Sequence, residues 1–175
     1  MVTSQPRAAV VYHPLKTDVA ALRSAVLRHE AKAGWAPSFW HETTEDDAGQ
    51  AVTKLALEAG ASVVLASGGD GTVRAVAEAL RGSGTPLAVI PQGTGNLLAR
   101  NLGAPLSDLN ESVRAAFFGE NRPVDLGVVS ITRADESEDE HVFLVLAGMG
   151  LDARAITATR SSLKKRLGWL AYVDA

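Results

Sequence analysis

Residues 62–66 read SVVLA and run directly into Ser67-Gly68-Gly69-Asp70-Gly71-Thr72, after which apolar residues recur at helical spacing. A strand apolar on both faces must be buried on both, which places it inside a parallel sheet covered by helices. A glycine turn between such a strand and a helix gathers backbone N–H groups at the positive end of a helix dipole, an arrangement suited to phosphate. Asp70, in the middle of the turn, repels phosphate and so requires an explanation. One is a bridging cation, or a nucleophile that the carboxylate orients. The other is a tight turn in which the carboxylate bonds nearby amides.

The pattern around this segment is alternating. Residues 8–12, 37–41, 62–66 and 86–90 read as short strands. Helical spacing is expected over 18–33, where Val19, Leu22, Val26 and Leu27 form an apolar face. Further helices are expected from a Thr44 N-cap, with Glu45, Asp46 and Asp47 in the first turn, to about residue 59; over 72–81, with Thr72 as a cap; from 96 to about 102; and from a Ser107 cap to 118. The alternation predicts an α/β fold with an open, mostly parallel sheet and flanking helices. Near Arg122-Pro123 the pattern changes. Residues 124–131 and 141–146 read as strands joined by the acidic loop RADESEDE at 133–140, the start of a β-rich second domain. The expected domains are therefore 1–122 and 123–175. Residues 161–175 read as a helix with no terminating signal, and the second sheet looks unfinished, so the sequence reads as the N-terminal part of a longer protein.

Composition narrows the function classes. The net charge of −3 over 175 residues supplies no basic field for nucleic acid. There is no cysteine, hence neither disulfide framework nor thiolate chemistry, and the four histidines are scattered without metal-ligand spacing. The N-terminal apolar segment is too short for a signal peptide, and no run reaches membrane-span length. A cytoplasmic protein is expected. Arg154, Arg160, Lys164, Lys165 and Arg166 form either an ordinary solvated face or a patch for peripheral attachment at the inner membrane surface.

A second glycine turn, Pro91-Gln92-Gly93-Thr94-Gly95-Asn96, also leaves an apolar strand and opens a helix. In an open α/β sheet the two turns share the carboxyl edge, where ligands bind. Other phosphate signatures fail: there is no G-x-x-x-x-G-K-[ST] loop, and Leu98 stands where a dinucleotide fingerprint needs its third glycine.

These two turns, in this order, resemble the catalytic domain of the diacylglycerol kinase family, which includes bacterial lipid kinases and the sphingosine and ceramide kinases. Tyr12-His13-Pro14-Leu15-Lys16, Val124-Asp125-Leu126-Gly127 and the segment from Ala147 to Ala153 are similar to further family segments. The resemblance implies a fold akin to the 6-phosphofructokinase and NAD kinase superfamily. It implies transfer of the γ-phosphate of ATP to a lipid hydroxyl at a membrane surface, with Mg²⁺. By motif position, Ser67, Gly68, Gly69, Gly71 and Thr72 would cradle the ATP phosphates. Thr94, Gly95 and Asn96 would contact the nucleotide from the second loop, and His13 and Lys16 from the first. Asp70 would be the catalytic carboxylate and, with Asp125, would organise Mg²⁺; Asp152 would face the lipid.

Three departures from the family pattern stand out. His13 replaces the family's Asn. Leu97 replaces the Asp of many bacterial members. The family's general-base glutamate, expected further on, is not in this sequence. The expectation is therefore nucleotide binding with poor lipid phosphorylation by residues 1–175. NAD kinase, which shares the GGDGT turn, and a catalytically degenerate nucleotide- or lipid-binding regulator are the alternatives. The acceptor lipid and a homodimeric state are left open.

Overall fold

The computed structural model describes residues 5–148. The chain divides into two compact units, Met1–Val124 and Asp125–Ala175. The helix expected at 161–175, the basic cluster and Asp152 lie outside the described residues.

In the first unit the elements alternate: β1 (Arg7–Tyr12), α1 (Val19–Ala33), β2 (Ala36–Glu42), α2 (Gln50–Glu58), β3 (Val63–Gly68), α3 (Asp70–Leu80), β4 (Leu87–Pro91), α4 (Leu97–Asn101) and α5 (Leu109–Phe118). The four strands form one parallel sheet in the order β2-β1-β3-β4. Interior β3 is buried along its whole length, while edge strands β2 and β4 are only partly covered. Side chains alternate between the two faces of a strand. Ala8, Val10, Val63 and Leu65 pack with Leu22 and Val26 of α1 and Val113 and Phe117 of α5. Their neighbours Ala9, Val11, Val64 and Ala66, equally buried, turn to the opposite face. There the backbone entering α2 lies close to α3 and β1. A Cβ at Gly49 would stand 3.2 Å from Val76 and 3.5 Å from Val11. The sheet is thus filled on both sides, as its apolar strands require.

Helix ends depart from the sequence reading in instructive ways. Asp18 caps α1, accepting from the Ala21 N–H at 2.9 Å, and Gly34 closes it in the left-handed region at φ 69°. Helix α2 does not start at Thr44. The Thr44 hydroxyl instead accepts from the Asp47 N–H at 3.1 Å, making a turn. The Asp47 carboxylate then accepts from the N–H groups of Gly49, Ala51 and Val52 at 3.0, 3.0 and 3.1 Å, so capping begins there. Helix α5 is capped by Asp108, not Ser107, through the Glu111 N–H at 2.9 Å. Helix α3 begins at Asp70, with Gly69 at its N-cap, so Thr72 lies inside the helix and caps nothing.

In the second unit, β5 (Gly127–Thr132) and β6 (Glu138–Phe143) pair antiparallel. The acidic run is not all loop: Glu138, Asp139 and Glu140 belong to β6. The turn is closed by the Arg133 N–H donating to the Ser137 carbonyl at 2.8 Å, with Arg133 Nε on Asp139 at 2.7 Å. A Cβ at Gly127 would overlap the tip of the Phe143 ring opposite it, so a side chain there would require that ring to turn aside.

Candidate functional site

Strand register brings the loops to one edge. Tyr12 pairs with both Glu42 and Ser67, Ser67 with Ile90, and Gly68 with Pro91, so the four strands end level. The loops that follow them emerge together at the carboxyl edge of the sheet.

The first loop is anchored through the end of β3. The Ser67 carbonyl accepts from the His13 N–H at 2.9 Å and from the Thr17 hydroxyl at 3.2 Å. The hydroxyls of Thr17 and Ser67, both buried, are 3.3 Å apart. The His13 imidazole accepts from the Leu15 N–H at 3.2 Å through Nδ1, so part of its hydrogen-bonding capacity shapes its own turn. This folding carries Lys16 over the glycines: its Nζ would be 3.4 Å from a Cβ placed on Gly69.

The two glycine turns touch. A Cβ on Gly93 would lie 2.6 Å from the Gly69 Cα, so a side chain at Gly93 would force the two turns apart. A Cβ on Gly68 would lie 2.7 Å from the Thr72 Oγ1, which packs the buried threonine back against the turn. Among the described residues no side chain caps the N-terminus of α3, whose first-turn N–H groups lack intrahelical acceptors.

Asn96 sits in the left-handed region at φ 49°. Its side-chain amide closes its own loop, Oδ1 accepting from the Gly93 N–H at 2.8 Å and Nδ2 donating to the Gly93 carbonyl at 2.7 Å. Arg100 adds a brace, Nε donating to the Gly95 carbonyl at 2.7 Å. The Asp70 carboxylate crosses from the first turn to the second. It accepts from the Asn96 N–H at 3.0 Å and the Leu97 N–H at 2.6 Å. Gly95 permits this approach, since a Cβ there would stand 2.9 Å from Asp70 Oδ2.

The residues singled out from sequence thus divide. Lys16, Gly68, Gly69, Asp70, Gly71, Gly95 and Asn96 meet at one place. Ser67 and Thr72 are buried, and their hydroxyls serve the turn's own packing. Thr94 is exposed on the second loop. Asp125 is exposed and opens the second unit. Thr17 and Arg100 were not anticipated. Thr17 carried no local signal, because its partner lies 50 residues away. Among the described residues no group of three or more His, Cys, Asp or Glu side chains is placed to hold a metal. Mg²⁺ commonly takes only one or two carboxylates and completes its shell with water and phosphate. Asp70 keeps lone pairs beyond the two in use, so it fits that kind of site and does not make a protein-only one.

The profile of the diacylglycerol kinase catalytic domain matches residues 7–129. This chain belongs to that family. It is 39% identical over 133 residues to a "Probable lipid kinase YegS-like" of Pseudomonas aeruginosa (strain UCBPP-PA14), covering 75% of this chain and 40% of the relative. It is 32% identical over 170 residues to the diacylglycerol kinase of Bacillus subtilis (strain 168), covering 95% of this chain and 53% of that protein. A crystal structure of a diacylglycerol kinase from Bacillus anthracis str. Sterne superposes with a TM-score of 0.57 at 25% identity, over 73% of this chain and 48% of that one. The chain therefore spans about half or less of the length of these diacylglycerol kinase relatives. Among the described residues, no helix is long and apolar enough to cross a membrane.

Proposed function

We propose that the chain carries the nucleotide-binding half of an ATP- and Mg²⁺-dependent lipid kinase, which transfers the γ-phosphate to a lipid hydroxyl at a membrane surface. The observation that carries this reading is the convergence at one sheet edge of two glycine turns in backbone contact, an uncapped helix N-terminus and the Lys16 ammonium. Exposed N–H groups and a cation in that arrangement suit the polyphosphate of a nucleotide. Asp70 would hold Mg²⁺, which would supply charge neutralisation at the phosphates. Gly68, Gly69, Gly71 and Thr72 would shape the phosphate cradle. Thr94, Gly95 and Asn96 would present the second loop.

A second reading, a nucleotide-binding regulator without transfer, is favoured by the engagement of both Asp70 oxygens on backbone amides. The test is transfer of radiolabel from [γ-³²P]ATP by the full-length protein to diacylglycerol, a sphingoid base and NAD, with and without Mg²⁺. Mg²⁺-dependent labelling of a lipid supports the kinase. Labelling of NAD alone overturns it, and nucleotide binding without transfer selects the regulator.

A further inference from the structure

From the geometry of the two turns we propose that Asp70 is a positioning residue, one that locks the second glycine loop onto the first whether or not a metal is present. The proposal rests on the nucleotide-binding reading above, but its first test does not need a nucleotide.

Three observations carry it. The carboxylate spans the gap between the loops, with one oxygen on each of two successive N–H groups, those of Asn96 and Leu97. These groups start the short helix α4, and Asn96 offers it no side-chain cap. Asp70 therefore does in trans what an N-cap residue does locally, and as a charged acceptor it does so more strongly than a neutral one. Second, Gly95 is needed for the approach, because a Cβ there would crowd Asp70 Oδ2 to 2.9 Å. Third, the loop's own bonds bring it to the same place. Asn96 ties the loop to Gly93, and Gly93 lies against Gly69, one residue before Asp70. Leu97 takes part through its N–H, which any residue except proline supplies. The replacement of an acid by leucine at that position leaves the lock intact.

Two variants and two measurements test this on the full chain. Asp70→Asn keeps one acceptor but turns an NH₂ toward the other amide. Gly95→Ala keeps the carboxylate and pushes the loop away from it. Amide hydrogen exchange should show Asn96 and Leu97 protected in the native protein and at least about tenfold faster in both variants, the loss expected of a charge-assisted hydrogen bond. Protection of the β3 amides should be unchanged. ADP affinity should fall by a similar factor in both variants in EDTA; in Mg²⁺ Asp70→Asn should lose more than Gly95→Ala, because it also removes a metal carboxylate.

The lock is overturned if the two amides exchange freely in the native protein, or if either folded variant leaves their protection unchanged. It is also overturned if Asp70→Asn weakens binding only in Mg²⁺ while Gly95→Ala has no effect, which would make the carboxylate a metal ligand first. If Asp70→Asn fails to fold, Gly95→Ala decides alone. A native chain that binds no ADP in either condition would sink the nucleotide reading, while the exchange result would still judge the lock.

Discussion

Thr17 is a single hydroxyl on which the seating of the first loop depends. It donates to the Ser67 carbonyl and neighbours the Ser67 hydroxyl, in a place closed to water. Thr17→Val keeps the shape and removes both interactions, leaving the Ser67 hydroxyl buried without its partner. Such an orphan costs about 1–3 kcal/mol, and urea denaturation should read that loss. Gly93→Ala acts differently. Its Cβ would meet the Gly69 backbone at 2.6 Å, so the two turns must part although no bond has been removed. The expected result is a lowered unfolding midpoint together with ADP affinity reduced about tenfold or more by isothermal titration, roughly 1.4 kcal/mol. Unchanged affinity would show that contact between the turns is unnecessary. At this scale the sequence was legible in part. An acid inside a glycine turn announced that Asp70 had a task, and bonding to nearby amides was one of the two explanations available. The partners were not legible, because Asn96 and Leu97 lie 26 and 27 residues further on. The intraloop bonding of Asn96 was not legible for a related reason. Its amide seemed free for a ligand until the left-handed backbone turned it onto its own loop.

Among the elements, α2 shows how a cap moves. The sequence reading placed the cap at Thr44, with Glu45, Asp46 and Asp47 in the first turn, and the chain uses Asp47 instead. Burial alone would raise the Asp47 carboxyl, but the N–H groups of Gly49, Ala51, Val52 and Gln50 together hold it below its ordinary value. Asp47→Ala should destabilise the protein by about 0.5–2 kcal/mol, the usual cost of a lost cap. Asp46→Ala should be neutral. The two midpoints in urea, compared at neutral pH, check this. Local spacing predicted each helix because the apolar face is a local property. It could not choose among neighbouring capping candidates, since that choice depends on where β2 releases the chain and on how Gly49 fits against Val11 and Val76.

Over the whole molecule, stability should depend on pH through a residue on the edge of the sheet. His41 lies on β2, with its Nε2 buried and without a hydrogen-bond partner among the described residues. Burial lowers its pKa from the usual 6.5, because charging the ring there would forfeit hydration that no acceptor replaces. The unfolded chain takes up this proton more readily than the folded one. The contribution to stability is therefore complete above about pH 6.5 and is lost as the pH falls through the lower, folded value. Asp47 adds a separate step with the same sign. Its stabilisation is complete above the ordinary carboxyl value of 3.8 and disappears only in stronger acid. Urea midpoints measured from pH 8 to pH 3 should fall in two stages. His41→Phe keeps a strand-favouring ring and removes the orphaned nitrogen, so it should abolish the upper stage and leave the lower. Asp47→Ala should leave the upper stage and shrink the lower, to which the lowered carboxyls of Glu111 and Asp135 also contribute. A native midpoint constant between pH 8 and pH 5 would mean that the imidazole finds a partner or water when charged. The edge of the sheet at β2 would then be more open than the burial of His41 Nε2 implies.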